Sequence, residues 1–96
     1  MARFAVVIDY SDPEGVSKVR PVHREYLTKL VEQGKIYATG PFVDNKGALL
    51  VYDAADEDEV RELLANDPYG KAGVVTVVSI REWNIVMEGT AGSGKS

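Results

Sequence analysis

Pro21-Val22-His23-Arg24-Glu25-Tyr26-Leu27-Thr28-Lys29-Leu30-Val31-Glu32-Gln33-Gly34 carries apolar residues at helical spacing. On a helical wheel advancing about 100° per residue, Tyr26, Leu27, Leu30 and Val31 all fall within about 80° of His23. Arg24, Glu25, Lys29 and Glu32 take the remaining arc. The spacing therefore predicts a helix whose buried stripe has the chain's single histidine at its centre. Gly34 stands where a left-handed residue closes a helix. The start is read at Ser17 or Arg20: Ser17 can cap, and Pro21 is tolerated in a first turn, where the amide has no intrahelical partner.

The flanks of this helix give the topology. Upstream, Ala2–Tyr10 alternates as a strand, with Phe4, Val6 and Ile8 on one face and Ala5 and Val7 on the other. The run 11–15, Ser-Asp-Pro-Glu-Gly, reads as a turn. Downstream, residues 35–43 and 48–52 read as a hairpin around Asp44-Asn45-Lys46-Gly47. Asp56 and Glu59 form a capping box for a second helix, which carries Val60, Leu63 and Leu64 and ends near Asn66, before Pro68. A β-branched run, residues 74–80, makes a fourth strand that extends to Trp83 or beyond. The order βαββαβ is the ferredoxin-like pattern: an α+β domain with a four-stranded antiparallel sheet and two helices on one face.

The strands are apolar on both faces, and two helices cover only one. Leu49, Leu50, Val51 and Tyr52 put apolar groups on each side, and Val75, Val77 and Trp83 oppose Val74, Val78 and Ile80 in the fourth strand. The expected cover for the second face is the same face of another copy, a symmetric homodimer.

Composition narrows the function. The 96 residues make one domain, 45% hydrophobic and 27% charged. Lys plus Arg is 11 against 15 for Asp plus Glu, a net charge of −4, with no basic stripe to displace the counterions of a nucleic acid. No apolar run reaches the roughly 20 residues of a membrane span, and no leader-like apolar segment is present, so the reading is a cytoplasmic protein acting on no membrane. With no cysteine and one histidine, disulfides, thiolate nucleophiles and multi-histidine metal centres are not expected. The acidic run Asp56-Glu57-Asp58-Glu59 reads as a solvated helix start, since consecutive helical residues point in different directions.

One constellation can carry chemistry. Asp67 extends the buried stripe of the second helix, and two helices on one sheet face are neighbours, so it can meet His23. A carboxylate accepting Nδ1–H sets the imidazole tautomer and leaves Nε2 as a proton acceptor. The plainer readings are a core histidine with a satisfied hydrogen bond, and an Asp-Pro turn.

The stretches Arg20-Pro21-x-His23-x-x-Tyr26-Leu27, Gly34, Gly40-Pro41-Phe42, Asp67-Pro68-Tyr69 and Ala72-Gly73-Val74 resemble the YciI-like (YCII-related) family in order and spacing, over nearly the whole chain. The resemblance implies a dimeric α+β barrel, two ferredoxin-like sheets packed face to face. It implies a His–Asp active-site pair at His23 and Asp67. Family members include a relative implicated in dehydrochlorination of a chlorinated hydroxyquinol, and muconolactone-isomerase-like enzymes share the wider fold. Around that pair, Arg20 is placed to hold an anionic substrate group or is a solvated helix-start charge. Gly40, Pro41 and Phe42 shape a pocket wall or form a strand-end bulge. Tyr69 donates a phenolic proton or packs against the last strand.

The expectation is a small enzyme that needs no metal or organic cofactor. It performs proton abstraction with elimination or isomerisation on a small anionic or phenolic substrate. The alternative is a non-catalytic ligand-binding or accessory homodimer. Residues 1–88 form the domain and residues 89–96 a flexible tail. That tail ends in Gly-Thr-Ala-Gly-Ser-Gly-Lys-Ser, which matches a phosphate-binding loop by letter, yet no helix follows to supply the amides that hold phosphate.

Overall fold

The computed structural model describes residues 1–89. The reading of the Gly-Ser-rich ending lies, but for Gly89, outside the described residues. Strand β1 (Ala2–Tyr10) occupies an interior position in the sheet and pairs antiparallel with two others. On one side lies β3 (Gly47–Ala54) and on the other β4 (Val75–Glu82), while β2 (Ile36–Pro41) pairs with β3. The resulting order, β2-β3-β1-β4, is that of the expected ferredoxin-like α+β fold. Helices α1 (Pro13–Glu32) and α2 (Glu57–Asn66) bury one sheet face, and a short α3 (Pro68–Ala72) follows α2 directly.

The core is the inner face of the sheet meeting the helix stripes. Phe4, Val6, Ile8, Leu50 and Tyr52 pack with Val16, Leu27, Leu30, Val60 and Leu63. Tyr26 Oη donates to the Leu63 carbonyl at 2.8 Å and so ties α1 to α2.

Helix α1 starts earlier than Ser17. Asp12 is its cap, accepting from Gly15 N at 3.1 Å, and Pro13 takes the first turn, where proline costs nothing. The Ser-Asp-Pro-Glu-Gly run is therefore a helix start and not a free turn. Pro21 lies well inside the helix, and its missing N–H leaves the Ser17 carbonyl without its usual donor. Asp56 caps α2 as expected, accepting from Glu59 N at 2.9 Å. Glu59 reaches back one residue further than a capping box requires and accepts from Ala55 N at 2.7 Å. That bond and Lys35 hold the Glu59 carboxyl below the usual range.

In β4 the register slips between Val7 and Ile8: Ser79 faces Val7 while Val77 faces Ile8, and Val78 is the extra residue. The bulge inverts parity, so Val75 and Val77 share the inner side with Ile80 instead of opposing it. The outer side nonetheless remains apolar. Ala5 and Val7 are half-buried there, Leu49 is exposed, and Val51 and Trp83 border one groove with Ala5 and Leu49.

The helix start makes a measurable difference. Asp12→Ala should lower unfolding free energy by about 1 kcal/mol, the usual effect of losing an N-cap. Ser17→Ala should leave stability within about 0.5 kcal/mol of wild type in the same urea titration, as expected for a surface change.

Candidate active site

The site is built on the junction between α2 and α3. Asp67 ends one helix and caps the next, in extended backbone (φ −65°, ψ 135°). Pro68 enforces that conformation by crowding the helical alternative. Extended backbone at Asp67 turns its carboxylate toward the first turn of α3, where Oδ1 accepts from Tyr69 N at 2.9 Å. The junction is tight enough to require glycine at position 70, since a Cβ there would stand 2.4 Å from the Leu64 carbonyl oxygen.

From α1, His23 reaches the same oxygen. Its Nδ1 lies 2.8 Å from Asp67 Oδ1, and both side chains are buried. A carboxylate accepts, so Nδ1 carries the proton and donates. Among the described residues the other ring nitrogen has no hydrogen-bond partner. Among the described residues, Tyr52 Oη is the one fully buried side-chain polar atom without a partner, so Nε2 is not sealed into the core. It opens onto a cavity of about 310 Å³ bordered by His23 and Tyr69. The imidazole is clamped flat: the Tyr69 ring stacks on it with centroids 3.7 Å apart and planes 11° from parallel. Tyr10 meets the far edge of Tyr69 at 6.2 Å in a T-shaped contact.

The cavity lies between α1, the end of β2 and α3. Along α1 it is lined by Arg20, His23, Arg24, Leu27, Thr28 and Val31, and opposite by Thr39, Gly40, Pro41 and Ala48. The Arg20 guanidinium sits beside the Tyr69 and Tyr10 phenols, chiefly Tyr69, which raises its pKa further. Burial, aided by Tyr69, raises the Tyr10 phenol, so it is a protonated donor at neutral pH. Burial likewise raises Tyr26 and Tyr52, with the Asp67 charge adding to each. Among the described residues, no three His, Cys, Asp or Glu side chains converge as a metal site would need.

Six of the seven residues singled out from the sequence meet here. His23, Arg20, Gly40, Pro41 and Tyr69 line the cavity, and Asp67 stands behind His23. Phe42 does not join them. It lies 40% exposed over a separate groove with Ala38, Leu49 and Val51 on the other side of the sheet. Other lining residues escaped the sequence reading as site residues, Tyr10, Arg24, Thr28 and Thr39 among them. The wheel assigned Arg24 to the charged arc, yet that arc borders the cavity. Its position one turn after Arg20 was the available signal.

Comparison with known proteins gives the family and the fold. A family model, the YCII-related domain, matches residues 2–84. The chain belongs to the YCII-related family. Derivative of benzaldehyde biosynthesis cluster protein C from Emericella nidulans is 32% identical over 77 residues, covering 69% of this chain and 79% of the relative. A solved structure from Burkholderia phenoliruptrix AC1100 is also similar, that of 5-chloro-2-hydroxyhydroquinone dehydrochlorinase (TftG) in complex with 2,5-dihydroxybenzoquinone. It aligns with a TM-score of 0.64 at 22% identity, covering 85% of this chain and 92% of that one, a likeness of fold. No helix among the described residues is long and apolar enough to cross a membrane.

The α2–α3 junction can be probed directly. Gly70→Ala should cost about 1–3 kcal/mol in chemical unfolding, the range of an overpacked site. The downfield proton resonance of His23 Nδ1–H should shift or broaden, because the clash pushes Asp67 off the imidazole.

Proposed function

We propose that this YCII-related chain is an acid–base enzyme acting on a small anionic or phenolic ring. The reaction is proton abstraction followed by elimination or isomerisation. The observation that carries the reading is the His23–Asp67 pair. Nδ1–H is held at 2.8 Å by a carboxylate oxygen that a backbone N–H also anchors, while Nε2 is left free beside the cavity. Support of a different kind comes from the two similar proteins, whose names concern aromatic or quinonoid compounds.

Each step uses side chains of this chain. A phenolic ring reacts as its keto tautomer, in which a ring carbon has taken up a hydroxyl proton; an acidic C–H or enol O–H conjugated with the carbonyl gives its proton to Nε2, and that electron pair moves into the ring as an enolate. Asp67 stabilises the resulting imidazolium through Nδ1–H. The enolate then collapses in one of two ways. It expels an adjacent leaving group, such as halide, with its electron pair, or it takes the proton back from Nε2 at another carbon. Arg20 binds the anionic group of the substrate, and Tyr10 and Tyr69 offer phenolic donors to the developing oxyanion. Gly40 and Pro41 form the opposite wall.

The second copy belongs to the same proposal. The outer sheet face is apolar at Leu49, Val51 and Trp83, and no helix among the described residues covers that side. A homodimer through this face covers it and completes a dimeric α+β barrel.

Two measurements test these statements. With 2,5-dihydroxybenzoquinone and chlorinated hydroxyquinols as probes, His23→Ala should cut catalysed loss of halide or C–H exchange by about 10²–10⁴-fold, with circular dichroism unchanged. Unchanged turnover, or no turnover by wild type on any such ring, would leave the non-catalytic binding role standing. In sedimentation velocity, wild type should run as a dimer and Leu49→Asp as a folded monomer. A monomeric wild type would remove the barrel.

A further inference from the structure

Two constraints act on the imidazole of His23, and they come from different parts of the α2–α3 junction. The first is the hydrogen bond from Nδ1 to Asp67 Oδ1 at 2.8 Å. One hydrogen bond holds one atom. The χ2 torsion of a histidine is broad and roughly two-fold, so the bond selects which edge of the ring faces Asp67 and leaves the tilt of its plane loosely set. Nε2 lies off the axis of that bond, so a change of tilt swings it. The second constraint is the ring of Tyr69, with centroids 3.7 Å apart and planes within 11° of parallel. A stack that close sets the plane. Bond and stack together fix the aim of Nε2 on the cavity that His23 borders.

Tyr69 is itself firmly held. Its backbone N–H donates to Asp67 Oδ1 at 2.9 Å, the same oxygen that accepts from Nδ1. Its carbonyl accepts from Val74 N at 3.3 Å. The residue is buried, and Tyr10 of β1 supports its ring edge-on, with centroids 6.2 Å apart and planes at 68°. One residue of α3 thus touches both members of the pair. Its main chain orients the carboxylate, and the face of its ring orients the imidazole. Neither contact uses the hydroxyl. The stack has an electrostatic side too. When Nε2 gains a proton, the imidazole becomes a cation lying over the negative face of the phenol ring, well inside the roughly 6 Å reach of a cation–π contact. The same contact therefore holds the imidazole before and after proton transfer.

We infer that Tyr69 is a positioning residue for His23, acting through the face of its ring and not through its hydroxyl. The phenolic donation assigned to that hydroxyl above is a separate role, and substitution separates the two. Tyr69→Phe keeps the face and removes the hydroxyl. Tyr69→Leu keeps the backbone N–H and removes the face. The consequence for turnover rests on the acid–base reading; the contact itself does not.

The contact is tested first in the wild-type chain, whose single imidazole gives unambiguous NMR signals. Its carbon-bound ring protons should resonate clearly upfield of those of free histidine, displaced by the ring current of Tyr69. Undisplaced signals overturn the inference without any variant. With nitrogen-15 in the imidazole, Tyr69→Phe should keep the upfield displacement and the single Nδ1–H tautomer. Tyr69→Leu should give nitrogen signals averaged between tautomers, with circular dichroism unchanged. On any ring that wild type turns over, kcat of Tyr69→Leu should lie about tenfold or more below that of Tyr69→Phe, with KM changed by less than about threefold. A Leu variant that keeps the single tautomer or the kcat of the Phe variant overturns the inference. So does a Phe variant that loses the tautomer as fully as the Leu variant. Absence of turnover in wild type strikes the acid–base reading alone, since the NMR comparisons need no substrate.

Discussion

Oδ1 of Asp67 accepts two hydrogen bonds, one from the imidazole of α1 and one from the first turn of α3. The backbone donor comes from two residues along the same chain, a local contact that holds the carboxylate in the orientation the imidazole meets. The imidazole then meets an acceptor that is already in place, which is the condition for preorganised chemistry. The same two bonds explain the stacking of His23 on Tyr69. Once Oδ1 holds both Nδ1 and the Tyr69 amide, the two rings have little choice but to lie against one another. The contacts that pack α1 onto α3 are therefore the same ones that make up the site.

Most of the architecture follows from short-range chemistry that can be read in single residues. Alternation at Phe4, Val6 and Ile8, the Asp56 cap and the β-branched fourth strand each point to one element, and each element forms. The His23–Asp67 pair was legible because a polar residue centred on an apolar stripe needs a partner, and one lay at the end of the neighbouring stripe. What stayed hidden has physical causes too. Two prolines, Pro13 and Pro21, compete to mark the start of α1. Local rules favour proline in a first turn, and an interior proline shows itself only when the packed helix tolerates the lost bond. The extra residue at Val78 depends on pairing with β1, which no local pattern contains. Three of the five residues of α3 are Pro68, Gly70 and Lys71, a composition that reads as turn. Arg24 was missed because a wheel separates apolar from charged and is silent on which charged arc borders a concave surface.

The small scale of the protein bears on what it can do. A cavity of about 310 Å³ lies at the lower end of ligand sites and has room for a small molecule only. With so little space, selectivity must come from a handful of polar and charged lining groups, and less from shape around a large ligand.

Thr39, Gly40 and Pro41 border the His23 cavity on one side of the sheet and the groove of Leu49, Val51 and Phe42 on the other. At Gly40 the partition is bare backbone, one peptide thick, with no atom within 4 Å of the place a Cβ would take. Whatever rests against the outer groove is thus separated from the His23 cavity by a single layer of main chain. A wall of that kind transmits displacement from one room to the next. Drift in residues outside the cavity, Phe42 and Leu49 among them, can accordingly reshape its wall while His23 and Asp67 stay untouched.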